Sequence, residues 1–289
     1  MFEWAILNGL VLGSIYILVA LSLVLIYGVF EIPDFSQAGL YAIGAYITLS
    51  VMKYLGFNYL IAVPVSMAAI IVLGLLTEYF VYRPLEDKEP TSLLIVALGL
   101  LFVLDNFALV IWGHEHKSIS IPALAGKSVA IGSASMSYER VLAIMVALIL
   151  VLLVHHILMR TKTGDAIRAI IQDKDAAILM GIKVRKIRMI TFAISCGLTA
   201  IAGSLIGSIY STFPNMGDYI IVKALGAIIL GGMGSVFGAA VGAMIMGFAE
   251  SFGATFITSA YTDFFAFIII ILVLLFRPSG LFGVKERIG

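Results

Sequence analysis

The chain is poor in cysteine, in charge and in proline, and each shortage removes a class of protein. A single cysteine, Cys196, allows no intrachain disulfide and leaves a cysteine-based zinc centre without its second sulfur. Charged residues are 12% of the total, about half the ~25% of a soluble domain. The formal net charge of +1 offers no cationic surplus to displace counterions from phosphates, which excludes a general nucleic-acid binder. Seven prolines and no polar low-complexity tract leave no place for a long flexible linker. There is no Gly-x4-Gly-Lys-Ser/Thr loop to cradle a nucleotide, and no nucleophile stands at a useful spacing from a base. What is abundant is apolar surface: 62% of the 289 residues are hydrophobic, a composition suited to hydrocarbon as solvent and wrong for an ordinary soluble enzyme.

Crossing ~30 Å of hydrocarbon takes about 20 helical residues, and apolar runs of that length recur along the chain. They predict an all-α fold, a polytopic transmembrane helical bundle, with spans at 5–29, 36–52, 60–82, 91–112, 138–159, 188–210, 236–254 and 261–277. A shorter apolar piece at 220–233 reads as a broken or re-entrant helix, so about eight or nine segments are expected. Residues 1–289 form a single domain in this reading. The start Met-Phe-Glu-Trp lacks the basic region of a secretory signal, so the first span is expected to be retained. With nine segments and the N-terminus outside, thirteen of the eighteen Lys and Arg fall on the inner side. That asymmetry assigns loop 160–188 and the C-terminus to the cytoplasm of a plasma (inner) membrane protein.

Small residues four apart, at Gly9 and Gly13, Gly203 and Gly207, and Gly234, Gly238 and Gly242, form smooth stripes along which another backbone can approach. The cluster Leu230-Gly-Gly-Met-Gly-Ser235 should interrupt a helix, because each glycine costs about 1 kcal/mol relative to alanine there. Glu31-Ile-Pro-Asp-Phe-Ser-Gln-Ala-Gly39 is a second interruption, with Pro33 stopping one helix and Asp34 or Ser36 available to cap the next. Paired interrupted segments point to a translocation site, which makes Ser36, Gln37, Gly232, Gly234 and Ser235 candidate substrate-path residues. A purely structural turn is the alternative. Helix N-termini near Ser36 and Ser235 would offer N–H groups to a carboxylate.

The one long charged segment, 160–188, reads as helix, turn and helix. Asp165 to Ile171 is amphipathic. Asp175-Ala-Ala-Ile-Leu-Met180 is a short helix with Asp173 or Asp175 at its N-terminus and Gly181 as its stop. The bland reading is a solvated basic loop that only sets topology. Against it, Ala176, Ala177, Ile178, Leu179 and Met180 make an apolar surface where water should dominate, and such a surface wants a partner.

Asp175-Ala-Ala-Ile-Leu-Met-Gly181 resembles the EAA-x3-G coupling loop of ABC importer permeases. The wider context, Arg168 to Ile182, Leu230-Gly-Gly-Met-Gly-Ser235, Tyr82-Arg-Pro-Leu85 and the terminal Arg277-Pro-Ser-Gly-Leu-Phe-Gly283, resembles the LIV-type permeases for branched-chain amino acids over essentially the full length. Two positions depart from the pattern: Asp175 stands where the general loop has Glu, and Gln37 stands where the family commonly has His. The resemblance implies a permease subunit coupled through Asp175, Ala176, Ala177, Leu179 and Gly181 to two separate ATPase subunits. It also implies a second homologous permease subunit and an extracytoplasmic substrate-binding protein. ATP and Mg would be used by those partners, with no cofactor bound by this chain. A urea or short-amide permease shares the architecture.

The remaining polar groups are few. His114-Glu-His116 lies in an outer loop with too few ligands for zinc, and His155 and His156 fit an interfacial position. Asp105, Glu250 and Asp263 fall in or near apolar spans, where a charge costs about 2.5–3.5 kcal/mol, so each should face the bundle interior or the interface. A proton- or ion-coupled carrier working alone through Glu250 and Asp263 is the rival of a different class.

Overall fold

The computed structural model describes residues 1–86, 88–131, 134–257, 262–277 and 279–282. It is helical but for one hairpin. The helices are α1 (Phe2–Phe30), α2 (Ser36–Leu55), α3 (Tyr59–Thr77), α4 (Pro90–Trp112), α5 (Tyr138–Arg160), α6 (Lys162–Gln172), α7 (Lys174–Leu179), α8 (Val184–Ile209), α9 (Met216–Gly231), α10 (Val236–Phe256) and α11 (Thr262–Phe276). α3 runs on through a π turn at Glu78–Tyr82 and a 3-10 turn at Arg83–Leu85. Strands β1 (Ser128–Ile131) and β2 (Ala134–Ser137) pair antiparallel, Val129 facing Met136.

Seven helices are long and apolar enough to cross a membrane; α9, with 16 residues, and α11, with 15, are shorter. The short apolar piece begins earlier than the sequence suggests, at Met216, because Asp218 and Tyr219 belong to its first turn. The start of the last span at Tyr261, and Pro278 and Gly283 of the terminal motif, lie outside the described residues, as does the side chain of Asp263.

α1 is apolar on every side and is buried on nearly every side, packed against α8, α9, α10 and α5. That is the expected fate of a helix with no polar face. α4 and α5 differ. Each buries only a narrow stripe, Leu93, Ala97, Leu101, Leu104, Asp105 and Ala108 on α4 and Ala143, Ala147, Val154 and Leu158 on α5. Phe102, Val103, Phe107 and Val110, and Leu148, Ile149, Leu152 and Leu153, face outward, a belt that only hydrocarbon would solvate.

The glycine stripes act as close-contact tracks. A Cβ on Gly203 would strike the carbonyl oxygen of Tyr41, and one on Gly242 would strike that of Ala227, so α2 meets α8 and α9 meets α10 backbone to backbone. Gly9 and Gly13 receive Phe248 and Met244 of α10. Gly234 is different: nothing crowds it, and its φ of +86° is what the α9–α10 turn requires.

The bundle has two distinguishable ends. At one, α6 and α7 form an elbow and Ile171 packs on Gly28 of α1. The segment after α11 closes the same end, with the N–H groups of Leu281 and Phe282 donating to Leu230 and Gly231. At the other lie the β hairpin and a bridge between Lys117 and Thr212.

Candidate functional site

The elbow is built from local signals. Thr161 caps α6, its hydroxyl accepting from the N–H of Gly164 at 3.1 Å, and Ile167 and Ile170 turn inward to anchor it. Asp173 caps α7, its Oδ1 accepting from the N–H of Ala176 at 2.9 Å. Gly181, at φ +81°, ends it: its N–H donates to Ile178 and the N–H of Ile182 donates to Ala177, the paired bonds of a Schellman stop. Ala177 alone of the short helix is buried, against the body of the protein. Leu179 is 88% exposed and Met180 84%, with Asp175, Ala176 and Ile178 exposed beside them.

Just after the elbow, charge ties the foot of α8 to the end of α3. Glu86, after α3, accepts from Arg185 at 3.1 Å and from Arg188 at 3.0 Å. Arg188 is buried and also lies over the ring of Phe30 at the end of α1, at 4.7 Å.

The first interruption folds into a closed polar knot. α1 ends at Glu31 in the left-handed region, φ +62°, and Asp34 accepts from the N–H of Ser36 at 2.9 Å, so Asp34 holds the entry to α2. Tyr82 donates to Asp34 at 2.5 Å and the Gln37 amide donates to it at 3.2 Å. The Gln37 carbonyl accepts from Thr199 at 2.8 Å and from Ser22 at 3.2 Å. Gln37 is fully buried; the Ser36 hydroxyl, buried too, has no hydrogen-bond partner among the described residues. The second interruption is at the elbow end, where Ser235 caps α10 by accepting from the N–H of Gly238 at 3.0 Å and Gly232 packs on Gly280. The two interruptions are held by different partners.

Sequence reasoning marked Glu250 but missed what it meets. Lys223 donates to its Oε1 at 2.8 Å, and Tyr16 donates to its Oε2 at 2.5 Å. The three come from α9, α10 and α1, and no spacing rule joins positions so far apart in the chain. Asp105 is buried beside Asp218. His116 bonds Ser211 at 3.1 Å and rests on Phe213, while His155 and His156 are exposed on α5.

Comparison with known proteins adds the lineage. The family described as "Branched-chain amino acid transport system / permease component" matches residues 5–274. The high-affinity branched-chain amino acid transport system permease protein BraD of Pseudomonas aeruginosa is 35% identical, covering 97% of this chain and 95% of its own. Its counterpart LivH of Salmonella typhimurium is 30% identical over 96% of this chain and 94% of its own. Among solved structures, a chain of PsaBC from Streptococcus pneumoniae in complex with Fab is similar with a TM-score of 0.50 at 14% identity, covering 96% of this chain and 92% of that one. That last likeness bears on the fold alone.

Proposed function

The chain belongs to the family of permease components of branched-chain amino acid transport systems, and from that premise we propose that it is the permease subunit of an ATP-driven importer carrying branched-chain amino acids inward. In this reading residues 1–289 are one permease domain of about nine segments, with α9 and α11 as its short members. The elbow end faces the cytoplasm and the N-terminus starts outside an inner membrane. Two ATPase subunits supply ATP and Mg chemistry, a second homologous permease completes the pore, and an extracytoplasmic binding protein delivers the substrate. This subunit has no ATPase site of its own.

The observation that carries the reading is the elbow. A helix of six residues, capped at both ends and resting on the bundle through Ala177, holds Leu179 and Met180 out into water. Exposing two large apolar side chains is unfavourable by about 1.5–3 kcal/mol each against burying them, so the arrangement favours a docking partner. Asp175, Ala176, Ala177, Leu179 and Gly181 are the proposed coupling residues. Closure of the ATPase pair would push this knob, and the isoleucines of α6, with Glu86 and its two arginines, would pass the displacement to α1, α3 and α8. Ser36, Gln37, Gly232, Gly234 and Ser235 are proposed to lie along the substrate route; since Ser36 and Gln37 are now buried, they would line it once the bundle opens.

Co-purification tests this. Leu179→Asp in the full-length permease, co-expressed with its ATPase subunits, should cost at least about tenfold in recovered ATPase, equivalent to ~1.4 kcal/mol of docking. Permease yield and melting temperature should stay unchanged, because Leu179 makes little contact with its own chain. Undiminished recovery would remove the elbow as the coupling element.

A further inference from the structure

The largest unexplained expense in the bundle is the ion pair between Lys223 and Glu250. Tyr16, which donates to it, is the middle residue of α1, so the pair sits well inside the span. Two charges at that depth are costly even when paired, and apolar residues would hold α9 to α10 at least as well. The pair does not lie in solid packing. It forms part of the wall of a cavity of about 340 Å³, which reaches from Asn8 and Ser211, near the hairpin end, to Tyr16 and Tyr41. That volume is at the small end of the ~300–1,000 Å³ typical of ligand pockets, the size for one small molecule.

The lining has a consistent chemistry. Apart from the pair it presents apolar side chains, Leu12, Ile206, Phe213, Met216 and Ile220, beside polar ones, Asn8, Ser211 and Tyr219. Tyr41, 1% exposed, also lines it, and its hydroxyl has no hydrogen-bond partner among the described residues. Tyr210 adds another phenol to that wall. A lone cation would confront the ammonium of Lys223, and a lone anion the carboxylate of Glu250. A guest carrying both charges can exchange partners with the pair while the site stays neutral.

We propose that this cavity is a resting site for the zwitterion of one apolar α-amino acid, with Lys223 taking its carboxylate, Glu250 its ammonium, and the aliphatic wall its side chain. The assignment rests on the importer reading above and gives its route a first station. Tyr41 lies one helical turn from Gln37, so the floor of the cavity adjoins the polar knot, which stands as the closed part of the same route.

The test uses the complete importer with Ser211→Cys as a reporter in the cavity wall; Cys196, the native cysteine, is buried. Labelling by a membrane-impermeant maleimide is followed with leucine, leucinamide or 4-methylpentanoate present. Leucine at roughly ten times its Kd should slow labelling about tenfold, whereas the two singly functional analogues should not. Lys223→Met and Glu250→Gln should each abolish protection by leucine while the rate without ligand stays the same, which shows that the cavity survives. Should the charge variants fail to assemble, Ile220→Ala keeps both charges and should shift protection from leucine toward phenylalanine. Equal protection by leucinamide, protection that survives both charge substitutions, or an Ile220→Ala variant with unaltered preference overturns the site. An importer that labels normally but carries no leucine overturns the functional reading instead.

Discussion

At the scale of single residues, Gln37 joins three parts of the bundle. Its amide joins α2 to α1 through Ser22, to α8 through Thr199 and to the α1–α2 link through Asp34. None of these partners has water to fall back on, since all are buried. Gln37→Leu removes one acceptor and one donor and so takes one bond from each of three buried groups, at about 0.5–1.5 kcal/mol each, while Asp34 keeps Ser36 and Tyr82 and Ser22 and Thr199 keep each other. The melting temperature of the purified permease should fall by several degrees; Gln37→His, which keeps one ring nitrogen to donate and one to accept, should recover part of the loss. A melting curve unmoved by Gln37→Leu would show that the knot contributes nothing to holding the bundle. The sequence marked Gln37 through the interruption beside Pro33, but it could not show the knot. Ser22, Thr199 and Tyr82 are ordinary residues in apolar runs, and only the packing of four elements brings their oxygens together. Lys223 escaped notice for the same reason: it is the partner of an acid on the next helix.

At the scale of elements, legibility follows the distance over which a structure is specified. The elbow was readable because the bonds that cap its helices span three to five residues: Thr161 to Gly164, Asp173 to Ala176, Ile182 back to Ala177. The hairpin at Ser128–Ser137 was not anticipated, its two strands being only four residues each and its register fixed by pairing. The elbow's local origin makes a sharp prediction. Asp173→Ala removes the cap of α7, worth about 0.5–2 kcal/mol, and Gly181→Ala forces a Cβ into the left-handed region at about 1–2 kcal/mol, although nothing lies within 4 Å to clash with it. For a six-residue helix either is a large fraction of its local stability. Hydrogen exchange at 174–182 should quicken by about tenfold or more in each variant, a factor equivalent to ~1.4 kcal/mol, while α1 and α8 stay protected. Exchange that quickens through the whole bundle would mean that the elbow is part of the global fold and not a separately hinged piece.

For the whole molecule the deciding quantity is which end faces the cytoplasm, because the motor, the substrate and the cavity each belong to one side. The charge count favours the elbow end, and the structure refines what that count contains. Lys223 drops out, being ion-paired within the bundle, and Arg188 is anchored by Glu86 beneath Phe30, whereas Arg185 remains largely exposed. What persists is a cluster of exposed cations on and around the elbow: Arg160, Lys183, Arg185 and Lys186. Moving such a cluster through hydrocarbon would cost about 2.5–3.5 kcal/mol per charge, so the topology is set at insertion and does not invert afterwards. Two positions report it cleanly against a background in which Cys196 is fully buried. Leu179→Cys stands at the tip of the elbow and Ser118→Cys in the exposed segment beyond α4. In intact cells an impermeant maleimide should modify Ser118→Cys and leave Leu179→Cys untouched; after permeabilisation both should react. The opposite pattern would put the apolar knob on the side where no ATP-driven motor works, and both the coupling role of α7 and the inward direction of transport would go with it.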